Sequence, residues 1–336
     1  MRVGVHTSIA GGLENAAHRA HQIGCDSFQM FSANPRGWRA GLLSAEACER
    51  FREVREGYGL TPLAIHANYL INLAAPDAAI RALSVSAFRD EIRRSAALGA
   101  EYLVVHAGSA KGSDRKQATA AFVQALLEAA KGLDPKGLTV LVENAAGQGS
   151  VLASSFEELA AILNGLAPEV PAGACVDTAH LFAAGYAIHT ARGLRDTLSR
   201  LDASLGLNNV RLIHANDSKT GFGSHADRHE HIGEGQIGAE AFGRILRHPR
   251  LRAVPFICET PLDGPDDDLR NLRIMRKLGG ERRPAGARQA RRASLTGRTQ
   301  SRGEGASLTG WTAIPRNEAG ISFRINGSVG ALRSMT

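Results

Sequence analysis

Imidazoles and carboxylates recur in this 336-residue chain at one point of a repeating pattern. Short apolar runs at 2–8, 62–67, 102–108, 139–145, 173–180, 210–217 and 255–260 end at, or beside, His6, His66, His106, Glu143, Asp177 with His180, His214 and Glu259. A polar side chain at the end of a buried strand costs free energy unless it meets a partner. Many such side chains converging on one rim imply a metal site, and imidazole plus carboxylate without thiolate suits Zn²⁺, Mn²⁺ or Fe²⁺. Asp177 and His180, three apart in DTAH, are expected to leave one strand end toward a common cluster. Asp227 and His229 in ADRHEH (226–231) are two apart, which sends both side chains to the same side of an extended loop. His6 closes the first strand on the same rim and is expected to orient ligands rather than bind. His189, His225 and His231 are expected to be solvated. Ser109, close to His106 in HAGS, reads as part of a strand-end turn rather than a hydrolase pair.

Positioning these groups requires a particular frame. The runs are continuously apolar, as strands buried on both faces of a parallel sheet must be. With SFQMFS (27–32) they make eight, each followed by a helical stretch: 12–23, then near 44–58, 77–98, 114–131, 155–164, 190–205, 238–247 and 266–278. Eight β/α units predict an α/β chain folded as a (β/α)₈ TIM barrel, with its working groups at the C-terminal ends of the strands. A doubly wound open sheet is the alternative, and it leaves polar residues at so many strand ends unexplained.

Bulk properties narrow the reading. The formal charge of +7 belongs to the last segment: residues 281–336 hold ten Arg, no Lys and three Glu, which leaves thirty basic and thirty acidic residues in 1–280. The main domain, 1–280, is therefore neutral, and its ligand must be argued from its site. The segment 281–336 is rich in Arg, Gly and Ser, repeats ASLTG, lacks apolar periodicity and is expected to be disordered. Cys25, Cys48, Cys175 and Cys258 form no CxxC pair and fit free thiols in a reducing cytoplasm. Cys175 and Cys258 sit inside apolar runs and read as core. No run reaches the roughly 18 apolar residues of a membrane helix, and the strand-like opening segment leads us to expect no signal peptide.

Longer motifs carry a family signature: HTSIAGGLENA (6–16), HANYLINLA (66–74), HAGS (106–109), VENAAGQGS (142–150), VDTAHLFAAGY (176–186), HANDSK (214–219), DRHEHIGEGQIG (227–238) and ET (259–260). Over about residues 1–278 the chain resembles endonuclease IV, the metal-dependent apurinic/apyrimidinic endonuclease family. The resemblance implies a barrel holding three zinc ions, with Mn²⁺ possible at one or more sites. One ion takes His66, His106 and Glu143; a second shares Glu143 and adds Asp177, His214 and Glu259; a third takes His180, Asp227 and His229. It further implies hydrolysis of the phosphodiester 5′ to an abasic site in double-stranded DNA by metal-activated water, leaving a 3′-hydroxyl and a 5′-deoxyribose phosphate, with 3′-end repair as a second activity. Glu143 and Glu259 are the catalytic carboxylates on this reading. Arg36, Tyr69, Gln148 and Arg228 match DNA-contacting positions, the first two entering the duplex at the lesion. A monomer is expected. Ala145 and Ala179 depart from the Thr and Cys that family members often carry, and Pro35 stiffens the loop bearing Arg36.

Two other readings remain open on sequence. A metal-dependent sugar isomerase or epimerase of related barrel fold would need one or two ions and leaves His180, Asp227 and His229 unexplained. A non-catalytic lesion binder would not need the complete ligand set.

Overall fold

The computed structural model describes residues 1–167 and 169–280, so the expected tail lies outside the described residues. Eight parallel strands form one sheet: β1 (Val3–Val5), β2 (Phe28–Phe31), β3 (Leu63–His66), β4 (Tyr102–His106), β5 (Thr139–Glu143), β6 (Ala172–Asp177), β7 (Val210–His214) and β10 (Phe256–Cys258). From β2 to β7 each pairs with its neighbour in chain order, and β10 pairs with both β7 and β1. The remaining seam, between β1 and β2, closes through Asp26 N–H to the Val3 carbonyl at 2.8 Å and Thr7 N–H to the Gln29 carbonyl at 2.7 Å. Gly4 permits this closure, because a Cβ there would lie 1.9 Å from the Ser27 carbonyl oxygen. The open-sheet alternative is therefore excluded.

Helices pack outside the strands: α1 (Leu13–Ile23), α2 (Ala45–Gly57), α3 (Ala78–Ala97), α4 (Arg115–Ala130), α5 (Phe156–Leu166), α7 (Ala191–Leu205), α8 (Ala239–Leu246) and α9 (Asp267–Leu278). Ser44, Asp77, Asp114, Ser155 and Thr190 start their helices by accepting a hydrogen bond from a backbone N–H two or three residues on. Side chains of Ala64, Val104, Leu141, Cys175, Leu212 and Ile257 fill the barrel interior as a buried layer closed by Tyr102. This layer makes the barrel a packed core rather than a pore, and it floors the polar rim above.

Two elements were not expected from sequence. A short helix, α6 (Thr178–Ala183), begins directly at the end of β6. Two-residue strands β8 (Asp217–Ser218) and β9 (His229–Glu230) pair antiparallel and form a separate hairpin. Strands this short carry no readable alternation. The run 173–180 is therefore part strand and part helix: Asp177 ends β6, whereas His180 stands in the first turn of α6.

Candidate metal centre

Strand register brings the predicted ligands together. On paired strands His106 lies opposite Glu143, and Asp177 lies opposite His214. Glu259 follows β10 directly, and Ile257 of that strand pairs with His214. Glu143 occupies the centre, 1% exposed. Its Oε2 faces His66 Nε2 at 3.4 Å and His106 Nε2 at 3.7 Å, and its Oε1 faces His214 Nδ1 at 3.0 Å. His214 Nδ1 also lies 3.2 Å from Glu259 Oε2. Opposite them, Asp227 bridges His180 Nε2 at 3.1 Å and His229 Nε2 at 3.2 Å. Asp177 sits at the junction: one carboxylate oxygen can join the Glu143–His214–Glu259 group, and one can join His180 and His229, with all ligand atoms of each group within 4.8 Å of one another. All nine predicted ligands thus converge on one rim.

The ring orientations are set by backbone. A carbonyl oxygen only accepts, so His66 Nδ1–H donates to Ala67 at 2.7 Å, His180 Nδ1–H to Asn144 at 2.8 Å and His229 Nδ1–H to Glu259 at 3.1 Å. Each ring then presents Nε2 to the cluster, the tautomer a metal ligand needs. His214 is turned the other way: Nε2–H donates to Gln29 Oε1 at 2.9 Å, leaving Nδ1 toward the carboxylates.

Electrostatics match a cation-binding cluster. Burial alone would raise the carboxyls of Glu143 and Asp227, but facing imidazoles hold Glu143 (His214, His106) and Asp227 (His180, His229) well below the usual carboxylate range. Burial alone would lower the imidazole of His229, yet Asp177 and Asp227 push it up to about 9. Two buried atoms of the cluster, Glu143 Oε2 and His229 Nε2, have no hydrogen-bond partner. Unsatisfied buried atoms of this kind are costly, and divalent cations between Glu143, His66 and His106, and beside His229, would satisfy both. The residues therefore fit the predicted metals. Cys175 Sγ lies within 4.8 Å of ligand atoms of Glu143 and His214, but burial pushes its thiol up to about 12. It stays a neutral core group, as expected.

Several residues that position the ligands were missed. Asn144 Oδ1 accepts from Asp177 N–H at 2.7 Å. Asn216 donates to Asp177 Oδ2 at 2.6 Å and accepts from Glu259 N–H at 2.8 Å. Both asparagines stand one or two residues past a ligand inside apolar runs, a readable signal. Asp217, fully buried, accepts backbone N–H bonds from Ser218, Gly233, Gly235, Ile237 and Gly238. It ties down the loop that carries Asp227 and His229. Gly235 must be glycine here, since a Cβ would lie 2.6 Å from Asp217 Oδ1.

Among the other histidines, His6 lies beside Glu259 at 3.7 Å and hydrogen-bonds Gln29, the supporting place expected of it. His225 is exposed, as expected. His231 is not solvated: it is 5% exposed, and Asn271 Nδ2–H donates to its Nδ1 at 3.0 Å. That bond leaves Nε2–H facing Asp263, so this ring hydrogen-bonds rather than ligates. His189 is half-buried against Phe182 and Phe222. Both corrections depend on contacts with residues distant in sequence. Ser109 Oγ pairs with Ser150 Oγ at 2.9 Å, not with His106, consistent with a turn.

The four expected DNA-contacting residues lie in segments that follow barrel strands: Arg36 after β2, Tyr69 after β3, Gln148 after β5 and Arg228 after β7. Arg36 and Gln148 are exposed, Tyr69 is 48% exposed, and Arg228 is half-buried beside Asp227.

A family profile described as a Xylose isomerase-like TIM barrel matches residues 17–289. The chain is 52% identical over 290 residues to a protein from Solibacter usitatus named Probable endonuclease 4, covering 86% of this chain and all of that one. A Methanoculleus marisnigri protein of the same name is 41% identical, covering 83% and 99%. The crystal structure of endonuclease IV from Thermus thermophilus superposes with a TM-score of 0.73 at 38% identity, covering 83% of this chain and 98% of that one. A D-tagatose 3-epimerase-like protein superposes with a TM-score of 0.62 at 20% identity, a likeness of fold alone. By sequence and by structure, the chain belongs to the endonuclease IV family.

Proposed function

We propose that this nuclease repairs DNA by hydrolysing the phosphodiester 5′ to abasic sites in duplexes, leaving a 3′-hydroxyl and a 5′-deoxyribose phosphate, and that it also trims blocked 3′ ends. The observation that carries the reading is the convergence of nine ligands in three groups around the buried Glu143. His66, His106 and Glu143 would hold one zinc ion. Glu143, Asp177, His214 and Glu259 would hold a second, and His180, Asp227 and His229 a third. The second group is the richest in carboxylates, so Mn²⁺ would compete best there. Bound ions would supply Lewis acidity to a phosphoryl oxygen and lower the pKa of water.

The chain's own residues do the rest. Glu143 bridges two ligand groups and fixes their spacing. Glu259 adds negative charge beside His214 and keeps that imidazole oriented. The buried layer of Ala64, Val104 and Leu141 closes the floor against solvent, so substrate enters from the rim. There Tyr69 and Arg36 offer planar groups that can replace lost base stacking, and Gln148 and Arg228 offer polar contacts to the backbone. Nucleotides without a base are the cheapest to swing out of a helix, which favours lesions over intact DNA. Among the described residues no helix is long and apolar enough to cross a membrane. Residues 1–280 would suffice for activity as a monomer.

The decisive experiment uses a duplex carrying one abasic analogue that cannot undergo β-elimination. Metal-dependent incision on its 5′ side is expected; no incision overturns the reading. Elemental analysis should give about three zinc ions per chain, since each ligand group can supply three or four donors. One or two ions with no incision would point to sugar isomerase or epimerase chemistry.

A further inference from the structure

Gln29 is a neutral side chain at the heart of the cluster, and its amide nitrogen and oxygen are both committed to it. It lies at the centre of β2, fully buried. Its amide nitrogen lies 2.5 Å from Glu259 Oε1 and 3.0 Å from His6 Nδ1. Its amide oxygen lies 2.9 Å from His214 Nε2. A carboxylate only accepts, so the edge facing Glu259 must be the NH₂ group. The oxygen then faces His214 and can only accept, which forces the proton onto His214 Nε2. Nδ1 is thereby left to the carboxylates: it donates to Glu143 Oε1 at 3.0 Å and lies 3.2 Å from Glu259 Oε2, so without a cation the ring carries both protons, and a bound cation would take the place of the Nδ1 proton.

We infer that Gln29 is a positioning residue that selects the His214 tautomer and aims Glu259, and so sets the affinity of one metal site out of three. The inference rests on the proposed metal-dependent reading, whose second ion takes these two ligands. Selectivity follows from the geometry. His66, His180 and His229 take their orientation from the backbone carbonyls of Ala67, Asn144 and Glu259, and the bonds of the Gln29 amide go to the Glu259 carboxylate, His6 and His214 instead. Of His66, His180, His214 and His229, His214 alone is oriented by a side-chain amide. His6 joins this arrangement as acceptor of the second amide hydrogen, which accounts for a buried histidine that is not itself a ligand.

The substitution Gln29→Met keeps the volume and removes all three hydrogen bonds. Gln29→Glu keeps an acceptor for His214 Nε2–H but sets a carboxylate against Glu259. Orienting partners of ligands typically change metal affinity by roughly 10- to 100-fold. Zinc affinities of the full chain, measured by competition with a chromophoric chelator, should show one of three sites weakened by about that factor in Gln29→Met. The other two should match the parent. In the zinc-loaded parent, ¹⁵N–¹H correlation of the imidazoles should show His214 protonated at Nε2, in contrast to Nδ1-protonated His66, His180 and His229. Gln29→Glu should keep the Nε2–H signal while still weakening the one site. Unchanged affinities in Gln29→Met, or a His214 ring protonated at Nδ1 in the parent, overturn the inference. Equal loss at all three sites overturns it too, because it marks a damaged rim rather than a directed effect. A parent that binds no zinc would instead overturn the metal-dependent reading itself.

Discussion

The backbone N–H of Tyr69 donates to the carbonyl of Pro35 at 3.1 Å, which fastens the loop after β3 to the loop after β2. The two side chains proposed to enter DNA, Tyr69 and its neighbour across this bond Arg36, therefore move as one unit. The unit is braced from below by α3. Ser32 Oγ–H donates to the buried Glu91 at 2.7 Å, and Arg94 donates to Ser32 Oγ at 2.9 Å and to the carbonyls of Ser32 and Gly41. Removing this brace leaves the metal ligands untouched. Ordering mobile side chains on binding costs about 0.5–1.5 kcal/mol each, so Arg94→Met should weaken binding to an abasic duplex by about 3- to 10-fold. Zinc content should not change. Titration of a fluorescent duplex together with elemental analysis checks both halves.

Glu259 contacts the site through its charge as well as its shape. Glu259→Gln should cut incision on the order of 10²–10³-fold, the usual effect of deleting one electrostatic stabiliser. Binding of the abasic duplex should stay within a few-fold of the parent. Parallel incision and gel-shift assays compare the two, and equal losses would indicate a collapsed rim.

Asp217 never faces the substrate, yet the third ligand group depends on it. Its carboxylate accepts five backbone N–H bonds around the loop 233–238 and at Ser218. Asp217→Ala leaves these donors buried and unpaired, at a cost of about 3–5 kcal/mol, comparable to breaking a buried charged contact. Urea unfolding should report that loss. Hydrogen exchange should show the amides of 227–238 released first, while strands β3 to β5 keep their protection.

The cluster also dictates how stability follows pH once metal is stripped. His229 is raised from 6.5 to about 9, so its contribution is complete below about 6.5 and fades as pH climbs through 9. Glu143 is held well below 4.5, so its contribution is present above that value and fades as pH falls through its lowered range. The stripped protein should therefore be most stable between about pH 4.5 and 6.5. Zinc competes with protons for the same nitrogens, so the loaded protein should gain over the stripped one as pH rises to 9. Thermal midpoints of both forms across pH 5–9 test this; a gap that narrows with rising pH would contradict it.

The barrel and its ligands were legible because two physical signals coincide in the chain. Continuous apolar runs mark strands buried on both faces, and a polar residue ending each run stands out against that background. His106 and Glu143 could be placed on one rim by counting residues, since equivalent ends of parallel strands lie side by side. Gln29 could not. It sits inside SFQMFS with no neighbouring ligand, and its importance comes from Glu259 and His214, far away in sequence. Asp217 was hidden for a similar reason, because its partners are glycine and isoleucine amides with no side-chain signature. His231 was misread as solvated because Asn271, which buries it, belongs to α9. Side chains that act through the backbone of another segment leave little trace in local pattern.

The hairpin of β8 and β9 gives the rim a division of labour. Six of the nine ligands come from the ends of barrel strands, whose spacing is locked by the sheet. Asp227 and His229 come instead from an excursion held by the β8–β9 pairing and by the buried Asp217, and His180 meets them from a six-residue helix. The third ligand group is therefore an attachment that can loosen, or be lost, without unravelling the barrel beneath it. A lineage could gain or discard phosphodiester chemistry by editing that one excursion while the eight-stranded frame, and the six ligands it carries, stayed in service.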